Sequence, residues 1–467
     1  MAVISTLGSL LFGYNTGVIN GALPYMARPD QLNLTPLLEG MVGSTICLGC
    51  AVGAVAGGRI SDLIGRRTTL IYLAVVFFAT TLGCALSINA AMMIVCRFFL
   101  GLAVGGASVI VPAYLAEIAT GNLRGSLVVM MELVIVSGQL LAYIINAVIA
   151  VLFGDNPGVW RYLLGIASLP AILFFIGMIF NKESPRWLIA KGRVSEAMEV
   201  LKMTHENEAK AIAEFNDIKD LMDEQQQAQK ASFKDFNEPW IRRVLIIGIV
   251  LAIINQLTGV NAIMFYGSKI LITAGFSTHA ALVGNIFNGL ISVAGVSVGF
   301  HLVRRLTRRR MLAIGFIGTM TANLLIGLLT LCIGDAAILP YLVLVLTVVF
   351  LGFMQMFVAP VVWVIISEIF PLKLRGTGMG IAIFFLWMTV YAVTFIFPIL
   401  ISAVGISNTF FVFVVLELLS LLFVKFFMPE TKGMSMEDIE RMFRRRYGTN
   451  ENKNKENLQN EYRTSGI

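Results

Sequence analysis

Residues 38–67 read LEGMVGSTICLGCAVGAVAGGRISDLIGRR, and this stretch decides the class of fold. Its first 21 residues, 38–58, carry a single charged side chain, that of Glu39. An α-helix rises 1.5 Å per residue, so about 20 such residues cross the roughly 30 Å hydrocarbon core of a bilayer. Three arginines follow this apolar run, and short loops rich in Lys and Arg mark the cytoplasmic side of a membrane protein. The stretch therefore predicts a membrane-spanning helix that ends at the cytoplasm.

The composition extends this interpretation to the whole chain. Of 467 residues, 57% are hydrophobic and 13% are charged, and the mean hydropathy is +0.82. Soluble domains carry about 25% charged residues, so we expect an all-α integral membrane protein. The apolar runs long enough to span a bilayer number twelve: residues 3–26, 38–58, 69–88, 90–112, 127–152, 160–180, 243–273, 280–303, 311–333, 338–366, 377–402 and 406–428.

The net charge of +7 does not indicate a nucleic-acid partner, because the basic residues lie at the ends of apolar runs and form no soluble patch. They concentrate in the loops after the second, fourth, eighth and tenth runs, whereas the alternate loops contain little beyond Arg28 and Arg161. The positive-inside rule therefore predicts a multi-pass protein of the plasma membrane with both termini in the cytoplasm.

One hydrophilic stretch divides six apolar runs from six others. It predicts four segments: an N-terminal six-helix bundle at 1–180, a cytoplasmic linker with short helices at 181–241, a C-terminal bundle at 242–429 and a cytoplasmic tail at 430–467. Two halves that repeat each other are typical of transporters whose substrate lies near the bilayer midplane.

The two halves also repeat a charge pattern at the cytoplasmic ends of their fourth helices. Glu117 precedes Arg124 by seven residues, and Glu368 precedes Arg375 by seven, with an offset of 251 residues between the pairs. These charges either decorate hydrated helix ends or form gating ion pairs, and we favour ion pairs because charges at the membrane edge usually have partners. The residues of this expected network are Arg59, Asp62, Arg66, Glu117, Arg124, Glu368 and Arg375.

Four separate motifs carry a resemblance to a known family. They are GRISDLIGRR at Gly58–Arg67, ESPRWL at Glu183–Leu188, NQLTGVN at Asn255–Asn261 and PETKG at Pro429–Gly433. Together they resemble the sugar porter family of the major facilitator superfamily, from end to end. The segments FGYNTGVINGALP, EPWIRR and IGTMTANLLIG are most similar to those of bacterial myo-inositol transporters.

The resemblance implies the major facilitator fold and a secondary-active or facilitative transporter that moves a monosaccharide or polyol by alternating access. The expected substrate is myo-inositol. A polyhydroxylated ring needs hydrogen-bond partners inside the membrane, so amides and aromatic faces must converge on one cavity. The substrate-binding residues that the resemblance implies are Phe12, Glu132, Gln139, Asn255, Gln256, Asn261, Asn288, Trp363 and Trp387.

Each of these residues also has a plainer explanation, since buried amides tie membrane helices together and tryptophans often lie at the interface. We favour binding because polar groups at the midplane are costly unless they are used. Three positions depart from the family pattern: Asn255 replaces a common glutamine, Phe265 a common tyrosine and Val390 a common asparagine.

Asn15 places proton coupling in doubt. Proton-coupled sugar porters carry an aspartate at this position, paired with an arginine of the fourth helix, here Arg97, whereas facilitative members carry asparagine. An amide does not titrate, so Asn15 favours facilitated or weakly coupled transport. Glu132 is an alternative proton carrier, or it hydrogen-bonds substrate or pairs with Arg97. Two other functions stay open: proton symport of a hexose or pentose through Glu132, and a transporter-like sugar sensor.

An enzyme or ATP-driven pump is not expected, because the sequence contains no phosphate-binding loop of the Gly-x-x-x-x-Gly-Lys-Ser/Thr type. The five cysteines lie in apolar runs, and Cys47 and Cys50 have no histidine or second pair nearby. Buried small side chains explain them better than a metal site. We expect no cofactor and no metal, with the bilayer, a sugar or polyol and, in the coupled alternative, protons as partners.

Overall fold

The chain folds into helices, as the computed structural model shows. It describes the following residues: 2–118, 124–204, 207–227, 237–334, 336–371, 374–434 and 436–447. Within these ranges, the side chains that lie outside the description are those of 2–5, 124–129, 221–227 and 436–437. The described residues contain no β-strand.

Seven helices form the N-terminal part of the fold. They are α1 (Ala2–Met26), α2 (Pro36–Ile64), α3 (Arg66–Ala85), α4 (Ala90–Ile118), α5 (Arg124–Phe153), α6 (Val159–Ile166) and α7 (Ser168–Phe180). Helices α6 and α7 continue each other and together make one apolar crossing. Helix α2 begins sharply because Thr35 accepts a hydrogen bond from the N–H of Leu38 and Pro36 occupies the first turn.

Three short helices follow: α8 (Pro185–Ala190), α9 (Val194–Thr204) and α10 (Glu208–Gln227). They lie in the hydrophilic stretch between the sixth and seventh apolar runs. Leu188, Ala197 and Val200 form one small apolar cluster among them, and Leu201, Ala211 and Ile218 form another.

The C-terminal part begins after this linker. Its helices are α11 (Pro239–Leu257), α12 (Val260–Thr273), α13 (Thr278–Arg305), α14 (Arg308–Cys332), α15 (Leu339–Phe353), α16 (Ala359–Ile369), α17 (Arg375–Phe426) and α18 (Met436–Tyr447). A π-helical turn, Met354–Val358, joins α15 to α16. The end of the expected tail, residues 448–467, lies outside the described residues.

The helices confirm the twelve expected crossings. Ten segments of the described chain are long and apolar enough to cross a membrane. One of them, α17, has 52 residues and would be about 78 Å long if straight, so it makes two crossings that meet at Gly405, where φ is +81°. Helix α1 supplies the remaining crossing. Large apolar side chains such as Leu173 and Phe180 are exposed on the outside, as lipid-facing residues are.

Two sets of helices pack side by side. In the N-terminal set, α2 packs on α4, α1 on α5 and α3 on α4 and α7; in the C-terminal set, α14 packs on α17 and α15, and α11 on α17 and α16. The sets touch where α2 meets α17, α5 meets α13 and α1 meets α12. Any cavity between the sets is therefore bounded by these six helices.

Glycines bring some of these helices into backbone contact. A Cβ atom on Gly13 would lie 1.7 Å from the carbonyl oxygen of Ile135, and one on Gly49 would lie 2.1 Å from that of Phe98. No side chain fits at either position. Because both positions are glycine, α1 approaches α5 closely and α2 approaches α4 closely.

Candidate substrate site and gates

A break in the seventh crossing is the first feature of the site. Helix α11 ends at Leu257, Gly259 adopts φ +87° and ψ 10°, and α12 begins at the next residue. This left-handed conformation suits glycine and disfavours side chains with a Cβ atom. The amide of Asn261 donates to Oε1 of Gln256 at 2.5 Å, across the break. Asn255 is buried, and its Oδ1 has no hydrogen-bond partner.

Two of the amides predicted from NQLTGVN, those of Gln256 and Asn261, therefore meet at the break. On α5, Nε2 of Gln139 donates to the hydroxyl of Tyr143 at 2.8 Å. Tyr143 in turn donates to the carbonyl oxygen of Met264 on α12, at 3.1 Å. Glu132 lies two turns before Gln139 on α5, is half-buried and makes no hydrogen bond or ion pair with another described side chain. Tyr143 thus connects Gln139, a predicted substrate-binding residue on α5, to the C-terminal set.

A chain of polar side chains crosses from one set to the other. Asn20 of α1 accepts from the hydroxyl of Ser268 at 2.5 Å, and Ser268 accepts from Asn285 at 3.0 Å. Asn288 donates to Asn285 at 3.1 Å and accepts from Thr347 of α15 at 3.2 Å. Only Asn288 was predicted. The signal for the others was a polar residue inside an apolar run, without a motif to single it out.

Aromatic side chains from both sets meet between them. Phe12 of α1 and Trp387 of α17 form an edge-to-face pair with ring centroids 5.7 Å apart. The geometry is one that aromatic rings prefer. Trp363 lies on α16 and is 38% exposed. Gln355, which was not predicted, is buried in the π-helical turn that precedes α16, and such turns often occur at functional sites.

Of the two predicted coupling residues, Asn15 and Arg97, the second carries a charge that is fully buried. Arg97 is fully buried, and its guanidinium makes one hydrogen bond, from Nη2 to the carbonyl oxygen of Gly43 at 3.4 Å. Among the residues that the structure describes, its Nε and Nη1 atoms have no hydrogen-bond partner, and neither has Oδ1 of Asn15. Within the described part of the chain, Arg97 has no carboxylate partner, so the alternative in which Glu132 pairs with it is not observed.

One end of the helix array, the basic face, carries ion pairs that repeat in the two sets. Arg66 at the start of α3 pairs with Glu117 of α4 at 3.2 Å and with Asp62 at 2.5 Å. Arg308 at the start of α14 pairs with Glu368 of α16 at 2.9 Å. Each pair joins helices of a single set.

These partners add to the expected network. Glu117 and Glu368 bond to arginines at the starts of α3 and α14, and one of these arginines, Arg308, is not among the predicted residues. Arg375 begins α17 and is half-buried, and Arg59 is exposed at the end of α2. The side chain of Arg124 lies outside the described residues. Spacing along the chain does not reveal which helix faces an acid across the bundle.

The ESPRWL and PETKG motifs also act at the basic face. The carboxylate of Glu183 accepts from the backbone N–H of Arg67 at 2.9 Å, in the first turn of α3. Glu430 accepts from the N–H groups of Arg308 at 2.9 Å and Arg309 at 3.1 Å, in the first turn of α14. Carboxylates stabilise helix N-termini because the first N–H groups lack partners within the helix.

The hydrogen bonds to Glu430 set the charge state of its side chain. Burial alone would raise the pKa of this carboxyl group, but hydrogen bonds from the N–H groups of Arg308, Arg309 and Lys432 and from the hydroxyl of Thr307 together lower it by a larger amount. The net pKa therefore lies below the ordinary value, and Glu430 is ionised when it caps α14.

The other end of the array, the opposite face, is closed by contacts between the sets. The hydroxyl of Tyr266 on α12 lies 3.3 Å from the carbonyl oxygen of Glu39 on α2, a contact between the sets, and 3.0 Å from that of Thr394 on α17, within the C-terminal set. Lys269 of α12 forms an ion pair with the side chain of Glu39. These residues were not predicted, because each is a single polar group in an apolar helix.

Cys47 and Cys50 are buried free thiols on α2. No group of three or more His, Cys, Asp and Glu side chains that could hold a metal ion exists in the described ranges.

The fold and the site together define a class of protein. Two sets of membrane helices enclose amides and aromatic rings at a broken helix, with one end closed by contacts between the sets. This arrangement is that of a membrane transporter for a small polar solute, opened to one side at a time. The profile of the family described as "Sugar (and other) transporter" matches residues 1–443, so the chain belongs to that family. The resemblance seen in the sequence and the expectation of a transporter, not an enzyme, are confirmed.

Two relatives place the chain more closely. It is 54% identical over 442 residues to the major myo-inositol transporter IolT of Bacillus subtilis, covering 95% of this chain and 93% of the relative. The inward-open structure of the xylose transporter XylE from E. coli superposes with a TM-score of 0.81 at 28% identity, covering 94% of this chain and 98% of XylE. The structure of the proton:xylose symporter XylE bound to 6-bromo-6-deoxy-D-glucose gives 0.74 at 29% identity, covering 95% and 98%.

Proposed function

We propose that this protein transports myo-inositol across the plasma membrane. The observation that carries the proposal is 54% identity, over nearly the full length of both chains, to a myo-inositol transporter. The pairing of Gln256 with Asn261 across the helix break and the unpartnered, buried Asn255 Oδ1 among the described residues support it, because a cyclic polyol presents a hydroxyl on every ring carbon and requires several amide partners.

The amides that bond to one another in this structure are the groups proposed to bind the substrate. Gln256 pairs with Asn261, and Gln139 pairs with Tyr143. An amide both donates and accepts, so substrate hydroxyls can replace these bonds without leaving a buried group unpaired. Phe12 and Trp387 supply apolar ring faces for the C–H surface of the ring, and Asn288, Glu132 and Trp363 complete the proposed set.

We propose that transport proceeds by alternating access, with residues 1–180 and 242–429 as the moving bundles, 181–241 as the linker and 430–467 as the tail. The basic face is assigned to the cytoplasm, with both termini there, because Lys and Arg concentrate at cytoplasmic membrane edges. The bonds of Tyr266 and Lys269 to Glu39 close the opposite face, and the inward-open xylose transporter gives the higher TM-score. The structure would then represent the state that opens to the cytoplasm.

The proposed mode is facilitated or weakly coupled transport. Asn15 does not titrate, and Arg97 lacks the carboxylate partner through which a proton would act. The second candidate is proton symport of a hexose or pentose through Glu132. It is kept because the neighbouring xylose structure is that of a proton symporter, and because a half-buried Glu132 has no basic partner among the described side chains.

Uptake into proteoliposomes tests the proposal. Purified protein should take up labelled myo-inositol, with unlabelled myo-inositol competing better than glucose, xylose or arabinose. Gln256→Ala should reduce uptake about tenfold, the effect of losing one well-made hydrogen bond in a buried site. Asn408→Ala removes an exposed amide and should leave uptake unchanged.

Two results would overturn parts of the proposal. Uptake of a pentose or hexose that myo-inositol does not inhibit would identify that sugar, and not myo-inositol, as the substrate. Alkalinisation of the external medium during myo-inositol uptake by the unmodified protein would show that the mode is proton symport and not facilitated transport. Loss of this alkalinisation in Glu132→Gln would identify Glu132 as the proton carrier. Binding without any flux would favour the sensor.

A further inference from the structure

A second carboxylate is buried inside the C-terminal set, away from the residues proposed to bind substrate. Glu417 lies in the second crossing of α17 and has an exposed fraction of 0%. The amide Nδ2 of Asn323, on α14, donates to its Oε2 at 2.9 Å. No role follows for this pair from the sugar site or from either face of the molecule.

No basic group balances this carboxylate in the described part of the chain. The charged or titratable side chains on the elements that pack against α17, and on α17 itself, are Arg308, Arg309, Arg310 and Cys332 on α14; Arg242 and Arg243 on α11; Tyr266 and Lys269 on α12; Glu368 on α16; Glu39, Cys47, Cys50, Arg59 and Asp62 on α2; and Arg375, Tyr391 and Lys425 on α17.

The charged groups on the neighbouring helices lie towards the helix ends. Arg310 is thirteen residues from Asn323 on α14, or about 20 Å along the helix axis. Lys425 is eight residues from Glu417, or about 12 Å along α17. An ionised Glu417 would therefore be a buried charge without a counter-ion, a state that burial in a low-dielectric interior strongly disfavours.

The hydrogen bonds also indicate a missing proton donor. Among the described residues, Oε1 of Glu417 and Oδ1 of Asn323 are both buried acceptors without a partner, because the hydroxyl of Thr319 near Glu417 donates to the backbone oxygens of Gly315 and Phe316. A proton on Oε1 converts one of these acceptors into a donor and removes the charge at the same time. A metal ion is a poorer fit, because the NH₂ group of Asn323 already lies between the carboxylate and the nearest backbone oxygen that it contacts, that of Thr258.

That backbone oxygen connects Glu417 to the broken helix. Asn323 Nδ2 donates to the carbonyl oxygen of Thr258 at 3.2 Å, one residue before Gly259. The hydroxyl of Thr258 donates to the carbonyl oxygen of Asn255 at 3.0 Å. One amide therefore lies between the carboxyl group and the turn that carries three of the proposed sugar ligands.

We propose that Glu417 is a proton-binding site that controls the helix break. With the proton bound, the neutral carboxyl group packs against α14, and Asn323 holds the carbonyl oxygen of Thr258. When the proton leaves, the charge draws in water or a cation, Asn323 is pulled from Thr258, and the turn at Gly259 loses its support. The proton regulates transport from outside the sugar site and is not itself carried with the substrate.

Thermal stability across pH tests the proton site without any reference to substrate. A group that holds its proton in the folded state and loses it when unfolded destabilises the fold as pH rises. Between about pH 5 and pH 8, the Tm of the unmodified protein should therefore fall relative to that of Glu417→Gln, by about 2 °C or more. Equal pH profiles of the two proteins would overturn the proposal.

Control variants keep the test decisive. Glu199→Gln removes an exposed carboxylate paired with Lys182 and should not alter the pH profile of Tm. If Glu417→Gln does not fold, Glu417→Leu offers a neutral side chain of similar size, for which the same profile is expected. A rise in the Tm of the unmodified protein at about pH 8 on adding sodium in place of potassium would overturn the proton in favour of a metal ion.

Uptake across pH tests the link to the helix break, and this part rests on the proposed function. Labelled myo-inositol uptake by the unmodified protein should fall several-fold as the pH on both sides rises from about 6 to 8. Uptake by Glu417→Gln should stay near the low-pH rate throughout. A pH effect of equal size in both proteins would overturn the link, whereas absence of uptake at every pH would refute the myo-inositol proposal and leave the Tm result standing.

Discussion

The ion pair between Lys269 and Glu39 affects the populations of two states, one with the opposite face closed and one with it open. It joins α12 of one set to α2 of the other, at the opposite face, and the side chains are 25% and 11% exposed. Such a bond exists only while that face is closed. Lys269→Met removes the charge and keeps the length of the apolar stem, so the closed form alone should lose stability.

The expected size follows from the burial of the pair. Exposed ion pairs contribute about 0–1 kcal/mol, whereas breaking a buried pair costs about 3–5 kcal/mol. The side chain of Glu39 is nearly buried and that of Lys269 is partly exposed, which places this pair between the two limits, at about 2 kcal/mol. Since 1.4 kcal/mol is a factor of ten, the ratio of open to closed molecules at this face should rise about 30-fold.

Distances between spin labels at the opposite face measure that ratio. Asp30 follows α1 and Ile338 precedes α15, and both are exposed at the ends of their sets. Cysteines at these positions, in a background without Cys96 and Cys332, report whether the face is closed or open. In Lys269→Met, the ratio of the longer to the shorter distance should rise about 30-fold.

The control is an ion pair that joins nothing across the interface. Arg193 and Glu196 pair at 2.6 Å, and both are about half exposed in the linker, so Arg193→Met should leave the distances unchanged. In a double-mutant cycle, Glu39→Gln should change the populations less when Lys269→Met is already present. Populations in Lys269→Met within twofold of those in the unmodified protein would refute the reasoning.

Three further predictions concern separate parts of the molecule. Asn288→Ala removes two buried hydrogen bonds, at 3.1 Å and 3.2 Å, and should lower myo-inositol uptake about tenfold; an unchanged KM and maximal rate would contradict this. The pKa of Glu430 is lowered in the folded protein. Its contribution to stability is therefore present above the ordinary carboxyl pKa and is lost as pH falls through the folded pKa. The Tm of Glu430→Gln should approach that of the unmodified protein only in acid. Asn15→Asp supplies a titratable group, and proton entry should then accompany uptake in a pH-sensitive dye assay; a dye signal no larger than that of the unmodified protein would count against Asn15 as the reason for weak coupling.

The fold was predictable from the sequence because the membrane imposes two simple rules. A crossing requires about 20 apolar residues, and the basic loops report orientation. All twelve crossings follow from the first rule, including the two that share α17. The internal breaks were less visible, since the turn at Gly259 and the π-helical turn at Met354–Val358 both lie inside long apolar runs.

The candidate site was predictable where a motif names the residues. The structure brings Gln256 and Asn261 together, as it does Phe12 and Trp387. Partners across helices were not predictable, because a single sequence does not reveal the rotation of one helix against the next. Tyr143, Asn20 and the ion pair of Glu39 were missed for this reason.

The hydrogen bonds of Glu183 and Glu430 at the basic face affect the lifetime of the folded protein and the rate of transport differently. Glu183 fastens one end of α3 within the N-terminal set, and Glu430 does the same for α14 within the C-terminal set. Neither fastening has to break when the two halves rock against each other. Natural variation at Lys269 or Tyr266 can therefore alter the rate of transport while each half remains equally resistant to unfolding. Variation at Glu183 or Glu430 should shorten the lifetime of the folded protein without changing its rate of transport.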